Sequence, residues 1–527
     1  MRTLLTALAL ATLPLPALAA DSLQQQVITA LAEAGPGTRW GVVVADAGGT
    51  EIIALDPEGR YMPASNTKLF TTAAAFWKMG DLDQPDVGAR TSAYLIPGPN
   101  SGPNSGPNSG RAKIPDIVLY GRGDARLSSA KDCKIDCLDA LAYNIAKRTR
   151  RVGNITGDDT QFLDQRWSPG MSWNNIQSDS GTGVSALSLD DNEAVVTVTP
   201  GKEGAPPLVD GPAYFTYENR AATYSRMETA TAAGPVPAGT VTTSVEDLPK
   251  PIEFSRMPGS KRVRIMGAIK TGAPPVKLVL GIDDPAEYTA WAFAQALRVR
   301  GVAVGGKVLA KHWSERKTES TRDSLADITD VAALAVAMAS ETDDAAARSH
   351  LPPLAEDLSI INKVSQNLHA ELLLRRLGAE SGAVGGGGSI EGGQKVVTAM
   401  LTQAGLKPHQ YFFADGSGMS SYNRVAPRGV VTFLRWTQSQ PWGARFKATL
   451  PIGGVDGTLT RRFKATALDG RIIAKTGTLN ATNALAGFLT ARSGKLLVFS
   501  AYANDVPDAV KATPLIDKAL VLIAEAN

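Results

Sequence analysis

Histidine and cysteine are scarce: the 527 residues include 4 His and 2 Cys. So few soft ligands argue against a multinuclear metal site or a scaffold built on disulfides. No G-x-S-x-G elbow, H-E-x-x-H helix or Walker loop occurs, and His312, His350, His369 and His409 stand outside any recognisable triad pattern. Charge of one sign is lacking too. Lys and Arg number 54 against 51 Asp and Glu, a net +3, too balanced for an electrostatic nucleic-acid binder. Beyond the first twenty residues no apolar run approaches the ~20 residues of a membrane span. What remains is ordinary: 43% hydrophobic, 20% charged, with 51 Gly and 32 Pro. That excludes a disordered or collagen-like chain, and the length allows about three domains.

The first segment reads as a secretory signal. Arg2 supplies the positive start, Leu4 to Leu18 is apolar but broken by Pro14 and Pro16, and Ala17-Leu18-Ala19 is small-x-small. Cleavage is expected near Ala19, so residues 1–19 are not part of the fold. Export places Cys133 and Cys137 in an oxidising compartment, where a disulfide between them would act as a local staple.

Apolar periodicity predicts helices over 23–34, 65–78, 137–148, 286–302, 367–377, 394–404 and 509–525. Residues 40–45 and 51–55 flank Asp46-Ala47-Gly48-Gly49 and read as a hairpin. Strands are expected at 116–120, 471–479, 484–490 and 495–503, with a β-rich stretch from 185 to 280. The hairpin and the late strands are expected to share one antiparallel sheet, making the middle of the chain an insertion. Residues 98–110 (GPNSGPNSGPNSG) carry no apolar side chain and read as a flexible loop.

One nucleophile pattern stands out. Ser65-Asn66-Thr67-Lys68 is S-x-x-K opening an apolar helix. Positions i and i+3 share a helix face, so a lysine amine can reach the serine hydroxyl and act as its base once burial and nearby positive charge lower its pKa. Taken alone the motif is weak. Ser65 serves equally as a helix cap, and Ser128 to Lys131 and Ser314 to Lys317 match too, though in polar stretches. Two further elements follow: Ser365-Gln366-Asn367 (S-x-N) and Lys475-Thr476-Gly477 (K-T-G) with Thr478. That order is the set used by penicillin-binding proteins and serine β-lactamases. Rivals are Lys270-Thr271-Gly272, which precedes Ser365, and the S-x-N matches Ser172-Trp173-Asn174 and Ser421-Tyr422-Asn423.

The stretches PASNTKLFTTAAA, INKVSQNLHAELLLRRLG (361–378), DGSGMS (415–420) and AKTGTL (474–479) decide among these. With them the chain closely resembles class C low-molecular-mass penicillin-binding proteins over nearly its whole mature length. These are periplasmic D-alanyl-D-alanine carboxypeptidases/endopeptidases of the penicillin-binding protein 4 type. The resemblance implies an α/β (α+β) transpeptidase/serine β-lactamase-like domain formed by 20–90 and 321–527. Two smaller domains would be inserted: one from 91–190 and 281–320, and a β-rich one, 191–280, nested within it.

It also implies roles. Ser65 attacks the carbonyl of the penultimate D-Ala and becomes acylated. Lys68 takes its proton, Ser365 relays one to the leaving amine, and Asn367 holds the substrate amide and orients Lys68. Lys475 supplies positive potential for the terminal carboxylate, bound by Thr476 and Thr478 beside Gly477. Backbone N–H groups of Ser65 and Thr478 form the oxyanion hole. Ser417 is read as a turn residue of the loop beside the site. No cofactor or metal is implied. The expected ligands are peptidoglycan peptides and β-lactams, with peripheral membrane contact open. The same fold leaves a β-lactamase or esterase, or a non-enzymatic wall-binding module, as alternatives, and acyl-enzyme lifetime separates them. Relatives that prefer meso-diaminopimelate carry an acid and an arginine where this chain has Asn175 and Ser421, so both charges are missing and side-chain specificity is open.

Overall fold

The computed structural model describes residues 22–96, 114–225, 250–313, 352–380 and 388–527. The proposed signal segment, the tandem repeat and Ser314 to Lys317 lie outside them. The described N- and C-terminal parts meet in one five-stranded antiparallel sheet. Its strands are β1 (Arg39–Asp46), β2 (Glu51–Leu55), β7 (Ile472–Leu479), β8 (Thr482–Thr490) and β9 (Leu496–Asn504), in the order β7-β8-β9-β1-β2. The expected shared sheet is therefore present. Alternation along each strand sorts its residues between two cores. Val42 and Val44 of β1, with Leu485 and Leu489 of β8, face helices α1 (Leu23–Ala32) and α9 (Ala512–Ala526). Val43 and Ala45, with Ala484, Ala486 and Phe488, face the other layer.

That second layer centres on α2 (Thr67–Lys78), buried at every position from Thr67 to Phe76. It lies in the interior although it is not apolar all round: its buried threonines bond backbone carbonyls, Thr71 that of Gly416 and Thr72 that of Lys68. Around it pack α5 (Leu354–Lys363), α6 (Asn367–Glu380), α7 (Ile390–Gln403) and α8 (Pro427–Gln438).

The intervening chain builds a four-stranded sheet from β3 (Ser92–Ile96), β4 (Asp116–Tyr120), β5 (Ile155–Leu163) and β6 (Val308–Trp313), ordered β6-β5-β4-β3. Helices α3 (Leu138–Arg148) and α4 (Pro285–Val299) cover it, α4 beginning at Pro285 behind an Asp284 side-chain cap. Short strands between 193 and 281 form small sheets. Their buried residues, Val196, Val263 and Leu280 among them, join Ile117, Leu119 and Phe293 in a single apolar cluster. Cys133 and Cys137 are disulfide-bonded just before α3. The inserted body meets α6 through Phe162, Val184 and Ala186 against Leu368 and Leu372. No helix among the described residues is long and apolar enough to cross a membrane.

Candidate active site

Ser65 does not open an α-helix. It sits in a 3-10 turn, Ala64–Asn66, and α2 begins at Thr67. Ala64 has φ +46°, an unfavoured left-handed conformation. Two glycines make room for this turn. A Cβ on Gly418 would come within 1.9 Å of the Ala64 carbonyl oxygen, and one on Gly477 within 2.6 Å of that of Pro63. Only glycine lets the 415–420 loop and the edge strand β7 approach so closely. From above, the Asn504 side chain clamps Met62, accepting from its N–H at 2.7 Å and donating to its carbonyl at 3.2 Å.

Lys68 Nζ lies 2.9 Å from Ser65 Oγ, 2.7 Å from Asn367 Oδ1 and 2.6 Å from the Ser417 carbonyl oxygen. The last two are pure acceptors, so they hold two N–H bonds in either protonation state. When the amine is neutral its lone pair is left facing Ser65 Oγ. Lys68 is fully buried, and burial pulls its pKa down to about 7 against the opposing charges of Asp415 and Glu371.

Lys475 Nζ, also fully buried, donates to Ser365 Oγ at 2.9 Å and to the Thr476 carbonyl at 3.1 Å. Burial, then the charge of Lys68, holds its pKa well below the ordinary lysine value. Ser365 stands in the elbow between α5 and α6 with φ +72°, a strained setting for a non-glycine residue. Asn367 is the first residue of α6 but not its cap: the Gln366 side chain accepts the Leu368 N–H at 2.8 Å. The Asn367 Oδ1 is thereby left to Lys68, while its Nδ2 donates to the Ser180 carbonyl, at 3.3 Å, from the inserted body. Thr476 Oγ1 donates to Thr458 Oγ1 at 2.7 Å, and Thr478 is exposed beside it. Ser65, Lys68, Ser365, Asn367 and Lys475 thus converge from the 64–66 turn, α2, the α5–α6 elbow, the start of α6 and β7.

The rival motifs are elsewhere. Ser128 donates to Asp190, and Lys270 is exposed in the short strand Ala268–Lys270. Ser172 bonds its own Asn174 on an exposed turn. Asn423 is buried, donating to Asp415 and accepting from the Ala414 N–H. Asn175 lies in the turn Trp173–Asn175, and Ser421 donates from backbone and hydroxyl to the Gly170 carbonyl, both at 3.0 Å. Arg424 folds onto the Ser421 and Asn423 carbonyls.

Three contributors escaped the motif reading. Asn66 was only an x of S-x-x-K, yet its amide donates to the Lys475 carbonyl at 2.8 Å. Asp415 accepts the Gly418 and Ser420 N–H groups and folds the loop that meets Lys68; burial, then Glu371, pushes its pKa up to about 6. Glu371 accepts from that loop as well. Its one sequence signal is a Glu and an Arg spaced i, i+4 in an otherwise leucine-rich helix. Among the described residues no three His, Cys, Asp or Glu side chains gather to hold a metal.

Comparison with known proteins adds the lineage. A D-alanyl-D-alanine carboxypeptidase of Actinomadura sp. (strain R39) is 31% identical over 503 residues, covering 90% of this chain and 80% of its own. The penicillin-sensitive carboxypeptidase A of Dictyostelium discoideum is 24% identical over 93% of this chain and 88% of its own. The structure superposes on penicillin-binding protein 4 (dacB) from Haemophilus influenzae with a TM-score of 0.68. There the identity is 20% and coverage is 93% of this chain and 97% of the other. The fold is accordingly the α/β penicillin-binding fold with an inserted region. The D-Ala-D-Ala carboxypeptidase 3 (S13) family model matches residues 23–329 and 322–526. This chain belongs to that family and is a serine-type D-Ala-D-Ala carboxypeptidase, a hydrolase.

Proposed function

We propose that the protein works outside the cytoplasmic membrane, in the periplasm, as a DD-peptidase on peptidoglycan stem peptides through an acyl-serine at Ser65. It removes the terminal D-Ala or cuts peptide cross-links. The observation that carries this reading is the Lys68 amine, buried, near neutrality, and left by two carbonyl acceptors with its lone pair toward Ser65 Oγ.

In this reading Lys68 takes the hydroxyl proton as Ser65 attacks the carbonyl of the penultimate D-Ala. Backbone N–H groups of Ser65 and Thr478 stabilise the oxyanion, each donor worth roughly 3 kcal/mol. Ser365 passes a proton to the departing D-alanine amine, and water later frees the acyl group. Lys475 is the cation for the substrate's terminal carboxylate, whose arrival offsets the burial that disfavours its charge. Thr476 and Thr478 bind that carboxylate, Gly477 keeps β7 close, and Asn367 turns from Ser180 to the substrate amide. A β-lactam acylates the same serine and leaves slowly. Residues 91–190 and 281–320 make one inserted domain in this reading, with 191–280 nested inside it.

Fluorescent penicillin on the mature chain tests this, with Ser65→Ala as control. Lasting label on the wild type and none on the variant is the expected result. Label that is rapidly released favours a β-lactamase, label retained by the variant names another serine, and no label on either favours a binding module.

A further inference from the structure

Behind Lys68 lies a buried carboxylate that the reaction scheme leaves unused. Glu371 is 5% exposed and sits one turn along α6 from Asn367. Its Oε1 accepts two successive backbone N–H groups, Gly416 and Ser417, both at 2.9 Å. The same peptide run is held from the other side by Thr71 of α2, whose hydroxyl donates to the Gly416 carbonyl at 2.8 Å. The Ser417 carbonyl that receives Lys68 Nζ belongs to the next peptide, whose Gly418 N–H donates to Asp415 Oδ1 at 2.9 Å, so Glu371 and Asp415 anchor the two peptides on either side of the Ser417 Cα. Glu371 Oε2 accepts from Arg375 Nη1 at 2.8 Å and from Ser168 of the inserted body at 3.3 Å. Arg375 in turn donates to the Gln165 carbonyl at 2.6 Å. One carboxylate thus ties together α6, the 415–420 loop and the inserted body, at the point where the loop touches the lysine.

We propose that Glu371 is a positioning residue for the acylation step: it anchors the Gly416–Ser417 peptide, and so the Ser417 Cα from which the next peptide presents its carbonyl to Lys68, and with Asp415 it supplies the anionic charge behind that amine. This rests on the acyl-serine reading above. The charged groups facing Lys68 are Asp415 from the loop, Glu371 from α6 and Lys475 from β7, with Arg375 behind Glu371. Burial alone would raise the Glu371 carboxyl, but Arg375 and the Ser417 donors hold it below the usual range, so it is an anion at neutral pH. An anion here favours protonated Lys68. Neutralising it leaves the amine deprotonated at lower pH, and the unpaired Arg375 acts in the same direction. Asp415 then ionises more readily and offsets part of the change.

The test measures penicillin acylation from about pH 5 to 9 for the wild type, Glu371→Gln, Glu371→Asp and Thr71→Val, alongside the Lys68 titration followed by NMR of labelled lysine. For Glu371→Gln the acid limb and the Lys68 titration both move about one pH unit lower. The plateau falls roughly 10- to 100-fold as the carbonyl loses its aim. Glu371→Asp keeps the charge but not the reach, so its plateau falls while its limb stays. Thr71→Val, which loosens the same peptide, lowers the plateau without moving the limb. A folded Glu371→Gln with plateau and titration both unchanged overturns the proposal. If that variant does not fold, unchanged plateaus in the other two overturn it. A wild type that never acylates sinks the functional reading instead, and the NMR titration still decides whether Glu371 acts on Lys68.

Discussion

The side-chain amide of Asn66 donates to the main-chain carbonyl of Lys475 across 2.8 Å, tying the residue after the nucleophile to the strand that carries the K-T-G motif. Asn66 is fully buried, so water cannot replace it. The bond sets the distance between two motifs 409 residues apart in sequence. It explains why a side chain that touches neither Ser65 Oγ nor Lys68 Nζ belongs to the site's architecture.

Asn66→Ala removes the donor and leaves a buried carbonyl short of a partner, at a cost of about 1–3 kcal/mol. Urea unfolding is expected to show that loss. Penicillin acylation at constant pH is expected to slow by at least tenfold, because β7 is no longer held to the nucleophile turn. Unchanged acylation in a measurably destabilised variant would show that the bond serves the fold alone.

Gly477→Ala tests the close approach itself. The new methyl group would lie 2.6 Å from the Pro63 carbonyl oxygen, which is backbone and cannot swing aside. The strand must retreat, and a shift near 1 Å at the reacting groups costs on the order of 100-fold in rate. The variant is expected to fold, since β7 is an edge strand paired to β8 alone in the sheet. Circular dichroism that matches the wild type, with acylation down about 100-fold, is the expected pair of results. Acylation within twofold of the wild type would mean the turn tolerates the displacement.

What the sequence made legible was local. The α2, α6 and α9 helices and the hairpin show their periodicity within one segment. Ser65 and Lys68 lie three residues apart, so one turn brings their chemistry together. What it hid was set by long-range contacts. Glu371 meets Gly416 45 residues away and Ser168 203 residues away. Nothing in the string QNLHAELLLRR says which charged residue will turn inward. The left-handed backbone at Ser365 was hidden too. A serine there has no local signature, because the conformation is imposed by α5 and α6 packing on either side. The expected helix start at Ser65 was displaced by two residues for a similar reason: Pro63 and the two glycine contacts favour a tighter turn before α2.

The missing charges at Asn175 and Ser421 bear on substrate choice. The resemblance to class C penicillin-binding proteins implies an acid and an arginine at these positions in members that prefer a zwitterionic stem side chain, and this chain has Asn175 and Ser421 instead. Its Arg424 is committed to the Ser421 and Asn423 carbonyls. Asn175→Asp combined with Ser421→Arg is expected to raise kcat/KM for a stem peptide with a free diaminopimelate centre. The gain is about two- to fivefold, as solvent-exposed ion pairs allow. A lysine-type peptide whose amine is blocked should gain nothing. Equal effects on both peptides would show that the subsite is not read by charge.

His369 makes a claim on stability rather than on rate. Its two ring nitrogens face Asp357 of α5 and Asp191 of the inserted body. Burial works against its charge, but the two carboxylates overcome it and push the pKa up to about 10, against 6.5 for an ordinary histidine. A folded pKa above the unfolded one stabilises fully below about pH 6.5. That contribution is lost as the pH rises toward 10. Lys68 acts in the opposite sense: its folded pKa of about 7 lies below the unfolded value of 10.5, so its share of stability improves over much of the same range. Absolute curves therefore mix the two, and the informative quantity is the difference between wild type and His369→Gln. That difference in unfolding free energy is expected to be largest near pH 6 and to shrink steadily toward pH 10. The variant's own curve should still slope, because His312 between Asp159 and Asp284 is pushed to about 10 in the same way. A difference that stays constant with pH would mean that His369 binds its neighbours as a neutral ring, and the bridge between α5 and the inserted body would be a hydrogen bond without charge.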